Sequence, residues 1–237
     1  MAFSRVSAPA QPDAEALGAA MAGIGMVFTT PPARDPCIED TLLFASVEAM
    51  EADDLRVLAV LVTWFGIHAP WVNADRLTRL VAAHPSVRVR RLWSALARSR
   101  PADRRFGRMI LPPGEAPLDL VGAGSRFLLR RYGEDPRFAG SDLLVPANVL
   151  RDRAADVLSP AALAARHRPY RCRILIGPSY RADMWAALER DPDLTAAELA
   201  RRAYGSFATA WRVKRDFALL QDRRPAAPLS RQRVRAR

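Results

Sequence analysis

The chain has 237 residues, half of them apolar, which is enough for one large domain or two small ones around a buried core. Its net charge is +11, carried almost wholly by arginine, since Lys214 is the sole lysine. Two distant cysteines, Cys37 and Cys172, exclude a disulfide framework and fit a reducing cytoplasm, and the absence of any Gly-Lys dipeptide excludes a Walker-type phosphate loop. The charge is uneven: residues 1–85 carry −5, residues 86–108 carry +7, residues 109–200 are neutral, and residues 201–237 carry +9. A GC-rich genome explains arginine in place of lysine. It does not explain why acids avoid the second and fourth segments, and clustered arginine is the footprint of a polyanion partner.

Residues 1–37 read as a flexible leader. The apolar run Ala16 to Phe28 is too short to span a bilayer, and Asp13 and Glu15 stand where a signal peptide has basic residues. The run is expected either to stay mobile or to dock on the body as a helix. The breaker-rich segment 29–36 closes the leader.

Residues 38–177 read as a helical body. Ile38, Leu42, Leu43, Val47 and Met50 fit one helix. Leu55 to Phe65 is apolar almost all round, as a central buried helix is, with Asp53 or Asp54 as its cap and Gly66 as its end. Asn73 caps a helix running to His84, with Leu77, Leu80 and Val81 inward and Arg76 and Arg79 outward. Val89, Leu92, Trp93 and Leu96 set the inner face of a fourth helix. Residues 101–125 are rich in Pro and Gly. A short helix runs from Ser125 to Tyr132, Asp142 to Leu150 is either extended or a helix start, and Ser159-Pro160 opens another helix. The run Cys172 to Ile176 fits a short strand, and Gly177-Pro178 marks a boundary. The body would dimerise, receive an effector, or present its acidic N-terminal helices to a partner protein.

Residues 178–221 carry the strongest pattern. Arg181 to Trp185 opens a helix whose Met184, Trp185 and Leu188 close a three-helix core. Thr195 and Glu198 have the spacing of a capping box. Leu199 and Ala203 share the inner face of the helix they start, with Arg201 and Arg202 in solvent. Gly205 is expected to take the positive φ that ends this helix, and Ser206 to cap the next. There Ala210, Val213, Phe217 and Leu220 repeat at helical spacing.

The pieces Thr195-Ala-Ala-Glu-Leu-Ala200 and Ser206-x-x-Thr209-Ala210-x-Arg212 resemble the helix-turn-helix core of bacterial winged-helix transcriptional regulators. The resemblance covers residues 179–220. It implies a C-terminal helix-turn-helix, which with the helical body read above makes a mainly α protein, an N-terminal helical bundle followed by that motif. Two features depart from the pattern. Tyr204 precedes Gly205 where the family has Gly and then an aliphatic plug, so Tyr204 or Phe207 would fill that place. The chain then continues as QDRRPAAPLSRQRVRAR, which has no alternating apolar pattern, so a wing is absent or minimal. Residues 222–237 read as a disordered basic tail.

The resemblance implies double-stranded DNA as partner, read in the major groove by helix 207–220 of a possible homodimer. Ser206 would cap and touch a phosphate. Phe207 and Thr209 would meet base edges, Arg212 would reach guanine, and Trp211 would pack on the support helix or touch the backbone. Arg201, Arg202, Lys214, Arg215, Arg223 and Arg224 would hold phosphates. The alternative is an antitoxin or adaptor of a toxin–antitoxin or abortive-infection system, acting through protein contacts.

Catalytic and metal chemistry find little footing. His68, His84 and His167 are scattered, and Glu48, Glu51 and Asp54 read as a solvated face. The reading is therefore no enzyme, no metal, no cofactor, no membrane, and a cytoplasmic protein.

Overall fold

The computed structural model describes residues 9–114 and 116–221. The protein is mainly α-helical and divides into two compact units, with the boundary between Pro178 and Ser179. That is the position Gly177-Pro178 marked. Residues 222–237, including Arg223 and Arg224, lie outside the described residues, as do residues 1–8 of the leader.

In the first unit α1 (Ala14–Gly23), α3 (Leu55–His68), α4 (Ala74–Ala83) and α5 (Val87–Arg98) all pack on α2 (Ile38–Glu51). The described part of the leader is docked on the body. Asp13 caps α1, Leu17 and Met21 sit in the main core, and the indole of Trp64 donates to the Ile24 carbonyl at 2.8 Å. An apolar run of this length gains more by burial than it loses in chain entropy.

α3 is buried along most of its circumference, and Asp54 caps it by accepting from Arg56 N and Val57 N. Gly66 does not end it. The helix runs on to His68 and passes into a 3-10 turn, Ala69–Trp71. His68 carries the helix on because its ring is held at both nitrogens: Nδ1 lies 2.7 Å from the Tyr170 hydroxyl, and Nε2 lies 3.0 Å from the Leu158 carbonyl. Trp93 of α5 donates to Ser46 Oγ of α2 at 2.9 Å, so the central aromatic layer is tied by polar bonds as well as packing.

Two further expectations are corrected. Arg76 does not face solvent. It is buried and paired with Asp40, because α4 turns that side toward α2. The run Cys172 to Ile176 is not a strand but the end of α8 (Arg168–Ile176). His167 caps α8 by accepting from Tyr170 N, and Pro169 stands in its first turn. Its hydropathy is inverted: Arg173 points in, while Ile174, Leu175 and Ile176 are exposed.

The segment 142–150 resolves as a two-residue strand, β2 (Leu143–Leu144), parallel to β1 (Leu118–Asp119). α6 (Ser125–Tyr132) lies between them in sequence, and α7 (Pro160–Arg166) starts at the expected Ser159 cap.

The second unit is three helices: α9 (Tyr180–Arg190), α10 (Ala196–Arg202) and α11 (Phe207–Gln221), each packed on the other two. Met184, Leu188, Leu199, Ala203, Ala210, Val213 and Phe217 form its core, and Trp185 meets Phe217 edge-on at 5.2 Å.

Candidate nucleic-acid interface

The capping box that begins α10 is complete: Thr195 Oγ1 accepts from Glu198 N, and the Glu198 carboxylate accepts from Thr195 N at 3.0 Å. The bonds that Thr195 N and Thr195 Oγ1 donate to the Glu198 carboxylate hold it below the usual carboxylate range.

The turn into α11 is a Schellman motif. Gly205 N donates to the Ala200 carbonyl at 2.9 Å, and Tyr204 N to that of Arg201 at 3.3 Å. The left-handed residue is Tyr204, at φ 55°, not Gly205. That conformation costs a tyrosine on the order of 1 kcal/mol. Gly205 serves the close packing of the turn on α9. A Cβ there would run into Met184 Cε, with Tyr180 Cβ at 3.4 Å. The close approach of α9 thus takes the place of an aliphatic plug, and Phe207 is left exposed.

Ser206 caps α11: its Oγ accepts from Thr209 N at 3.1 Å and lies 2.9 Å from Thr209 Oγ1. With 100° between successive residues, Ala210, Val213 and Phe217 fall on one side. Phe207, Ala208, Trp211, Arg212, Arg215 and Leu219 fall on the other, and all six are exposed. Phe207 is 59 % and Trp211 54 % exposed. Leu220, expected inward, is 56 % exposed. It lies beyond the reach of α10: fifteen helical residues extend about 22 Å and seven only about 10 Å.

The expected contact residues separate into classes. Arg201 and Arg212 are exposed and make no ion pair with a described residue. Arg202 lies 3.8 Å from Asp191, both half open to solvent. The guanidinium of Arg215 covers the Trp211 ring at 5.6 Å and pairs with Asp216 at 3.0 Å. Asp216 also receives Arg181 at 2.9 Å, and the bond from Arg215 leads in holding its carboxyl below the ordinary range. Trp211 does not pack on the support helix. Lys214 is withdrawn from the surface set, because its Nζ donates to the Leu194 carbonyl at 2.6 Å. It closes the loop between α9 and α10.

The first unit holds polar chemistry that the sequence concealed. Glu39 is 0 % exposed and accepts from Arg173 at 2.6 and 2.9 Å and from Asn73 N at 2.8 Å. Burial opposes its ionisation, but the Arg173 guanidinium overrides this and holds the carboxyl below its usual range. The partners lie 134 residues apart, so local spacing carries no trace of the pair. Burial also pushes His68 and His167 down to about 4 and pushes the Cys37 thiol up. These groups are spent on the fold: His68 on Tyr170, His167 on the α8 cap and the Pro36 carbonyl.

Several acidic residues of α2 and its C-terminal loop are likewise engaged within the chain. Glu51 accepts from Ser86 Oγ at 2.5 Å, and Asp53 pairs with Arg88 at 2.5 Å. Among the described residues no three His, Cys, Asp or Glu side chains converge as a metal site requires, and no helix is long and apolar enough to cross a membrane.

Set against known proteins, the chain matches no family model, no curated protein and no solved structure at a significant level.

Proposed function

We propose that α10, its turn and α11 act as a helix-turn-helix, that α11 docks in the major groove of duplex DNA, and that the chain is a transcriptional regulator. The observation that carries this reading is the two-sidedness of α11. Its inner stripe closes a three-helix core, while its outer face presents Phe207, Ala208, Trp211, Arg212 and Arg215 to solvent beside Arg201 and Arg202 of α10. A helix about 10–12 Å across with such a face fits the major groove.

In this reading Arg212 reaches a base edge, and Phe207 and Ala208 meet thymine methyls. Arg201, Arg202 and Arg215 hold phosphates, aided by Arg223 and Arg224, and set register rather than sequence. Ser206 and Thr209 shape the helix start. Lys214 has a structural task instead, since its ammonium is occupied by the Leu194 carbonyl. The first unit serves dimerisation or signal reception.

The test is genome-wide capture of bound DNA at two salt concentrations, repeated with Arg212→Ala. Discrete peaks that persist at the higher salt are expected, and the substitution should weaken cognate binding by about 1–3 kcal/mol while sparing random DNA. Diffuse, salt-labile binding would remove the regulator. Equal losses on cognate and random DNA would reassign Arg212 to a phosphate.

One observation favours a second reading. Two aromatic rings, Phe207 and Trp211, stand exposed one helical turn apart, and such anchors are enriched at protein interfaces. An adaptor or antitoxin acting by protein contact would use them, and complete absence of DNA capture would move the assignment there.

A further inference from the structure

α6 contributes little to the core of the first unit. Of its eight residues only Ser125 is buried. The helix is fastened at its two ends, by Ser125 Oγ accepting from Val121 N at 3.1 Å and by Gly133, whose carbonyl accepts from Ala147 N at 2.9 Å. Residues 125–133 contain three arginines and no acid.

At 100° per residue, Arg126, Arg130, Phe127 and Arg131 follow one another around a single side. Leu128, Leu129 and Tyr132 take the opposite side, where the two leucines are half-buried. Phe127, in the middle of the arginine face, is 64 % exposed. None of the three guanidinium groups makes an ion pair or hydrogen bond with a described residue, and Arg131 lies over the Tyr132 ring at 5.4 Å.

The arginines of segment 86–108 behave otherwise. There most of the guanidiniums are spent: Arg91 on the Ala116 carbonyl, Arg98 on that of Leu111, Arg100 on those of Phe65 and Gly66, and Arg105 on three more, with Arg104 left exposed. Three uncommitted guanidiniums around one exposed ring make a surface complementary to a polyanion, with a flat apolar group for sugar or base. A membrane surface fits less well, because an interfacial helix turns a continuous apolar face outward and here the leucines turn toward the body.

We infer that α6 is a second DNA contact, in which Arg126, Arg130 and Arg131 neutralise backbone phosphates and Phe127 packs against the sugar or base edge between them. This rests on the DNA-binding reading above but uses no residue of α9–α11. The contact reads no sequence. It adds affinity on any duplex and makes that affinity steeper in salt.

The experiment uses the full chain and a random-sequence duplex of about two helical turns, with binding followed by fluorescence anisotropy between about 50 and 200 mM salt. Replacing Arg126, Arg130 and Arg131 by Gln should lower the slope of log K against log salt by about 2–3, at about 0.9 for each phosphate no longer neutralised. Replacing the exposed arginines Arg79, Arg104 and Arg151 by Gln removes the same charge elsewhere and should leave the slope within about 0.5.

Wild-type chain modified by phenylglyoxal with and without DNA supplies a reading that needs no variant: Arg126, Arg130 and Arg131 should be protected and Arg79 should not. A slope unchanged by the α6 substitutions, with wild-type binding intact and no protection of α6, overturns this inference and leaves the DNA-binding reading standing. Loss of binding to phosphatidylserine vesicles with an unchanged DNA slope assigns α6 to a lipid surface and overturns it equally. No DNA binding by the wild-type chain at the lowest salt overturns both.

Discussion

Two segments of this chain look alike on paper, since both 86–108 and 201–221 are arginine-rich and nearly free of acid. In the folded protein they behave differently. In the first, Arg88 pairs with Asp53, Arg108 with Asp75, and Arg91, Arg98, Arg100 and Arg105 reach backbone carbonyls at the end of α3, in the 3-10 turn that follows it and in the 110–116 loop. In the second, Arg201 and Arg212 extend from a small three-helix unit without an ion pair to a described residue, Arg202 has one only at 3.8 Å, and Arg215 is the one held closely, by Asp216. Charge density in a sequence thus says how much cation is present, not whether the fold has already used it. The guanidinium, with five donors in a planar fork, suits either task.

The largest expected effect lies at the committed extreme. Arg173→Met leaves Glu39 buried without its cation and should cost about 3–5 kcal/mol in urea unfolding. Glu39→Gln placed on top of it should recover part of the loss. A cost below about 1 kcal/mol would mean that the pair adds little and would weaken the notion of a spent arginine.

A smaller effect separates the two segments directly. Arg105→Ala strips a half-exposed guanidinium from the carbonyls of Ala69, Pro70 and Val72 and should cost about 1–2 kcal/mol of stability, with the DNA salt slope unaltered. Arg201→Gln should do the reverse: stability within about 0.5 kcal/mol of wild type, and a slope lower by about 1. If Arg105→Ala changed the slope and Arg201→Gln did not, the contrast would fail.

The gentlest probe is pH. His68 and His167 are held down to about 4 by burial, against 6.5 in the open chain. Between those values the unfolded chain binds protons that the native one refuses. Their contribution is therefore complete above about pH 6.5 and declines toward pH 4, by up to about 1.4 kcal/mol per pH unit for each. All three histidines belong to the first unit. Hydrogen exchange at about pH 7, 6 and 5 should accordingly show protection falling in α2 and α3 while that of α9–α11 holds. Parallel loss in both units would refute the sign or the site.

Much of the architecture was legible because local rules decided it. The buried circumference of α3, the inner face of α5, the Ser159 and Thr195 caps and the break at Gly177-Pro178 each follow from neighbours within about one helical turn. What stayed hidden depends on distant partners. Arg76 reads as a surface arginine until Asp40 is placed beside it. Cys172 to Ile176 reads as a strand until Arg173 finds Glu39 and turns the helix the other way. Gly205 suggests a left-handed cap. The positive φ falls at Tyr204 instead, while the missing Cβ of Gly205 leaves room for the Met184 side chain. In the candidate interface the exposed arginines of α11 were readable from periodicity, whereas Phe207 and Trp211 stood open between packing and exposure until α9 and α10 were in place. The capture of Lys214 by a carbonyl twenty residues away was not readable.

The excursion from β1 to β2 also has a kinetic side. Two strands of two residues, joined by Leu118 N to the Asp142 carbonyl and Leu120 N to that of Leu144, hold shut a loop of about 25 residues. Asp135 N and Ala147 N tie its far side to the Val145 and Gly133 carbonyls and Phe138 is buried in the core, but α6 between these ties buries only Ser125 and opens below the free energy of global unfolding. Its amides then exchange in the native ensemble while those of α2 and α3 stay closed. A protease that cleaves after arginine meets Arg126, Arg130 and Arg131 in a helix that opens by itself, and the first fragmentation yields a nicked chain still assembled around α2.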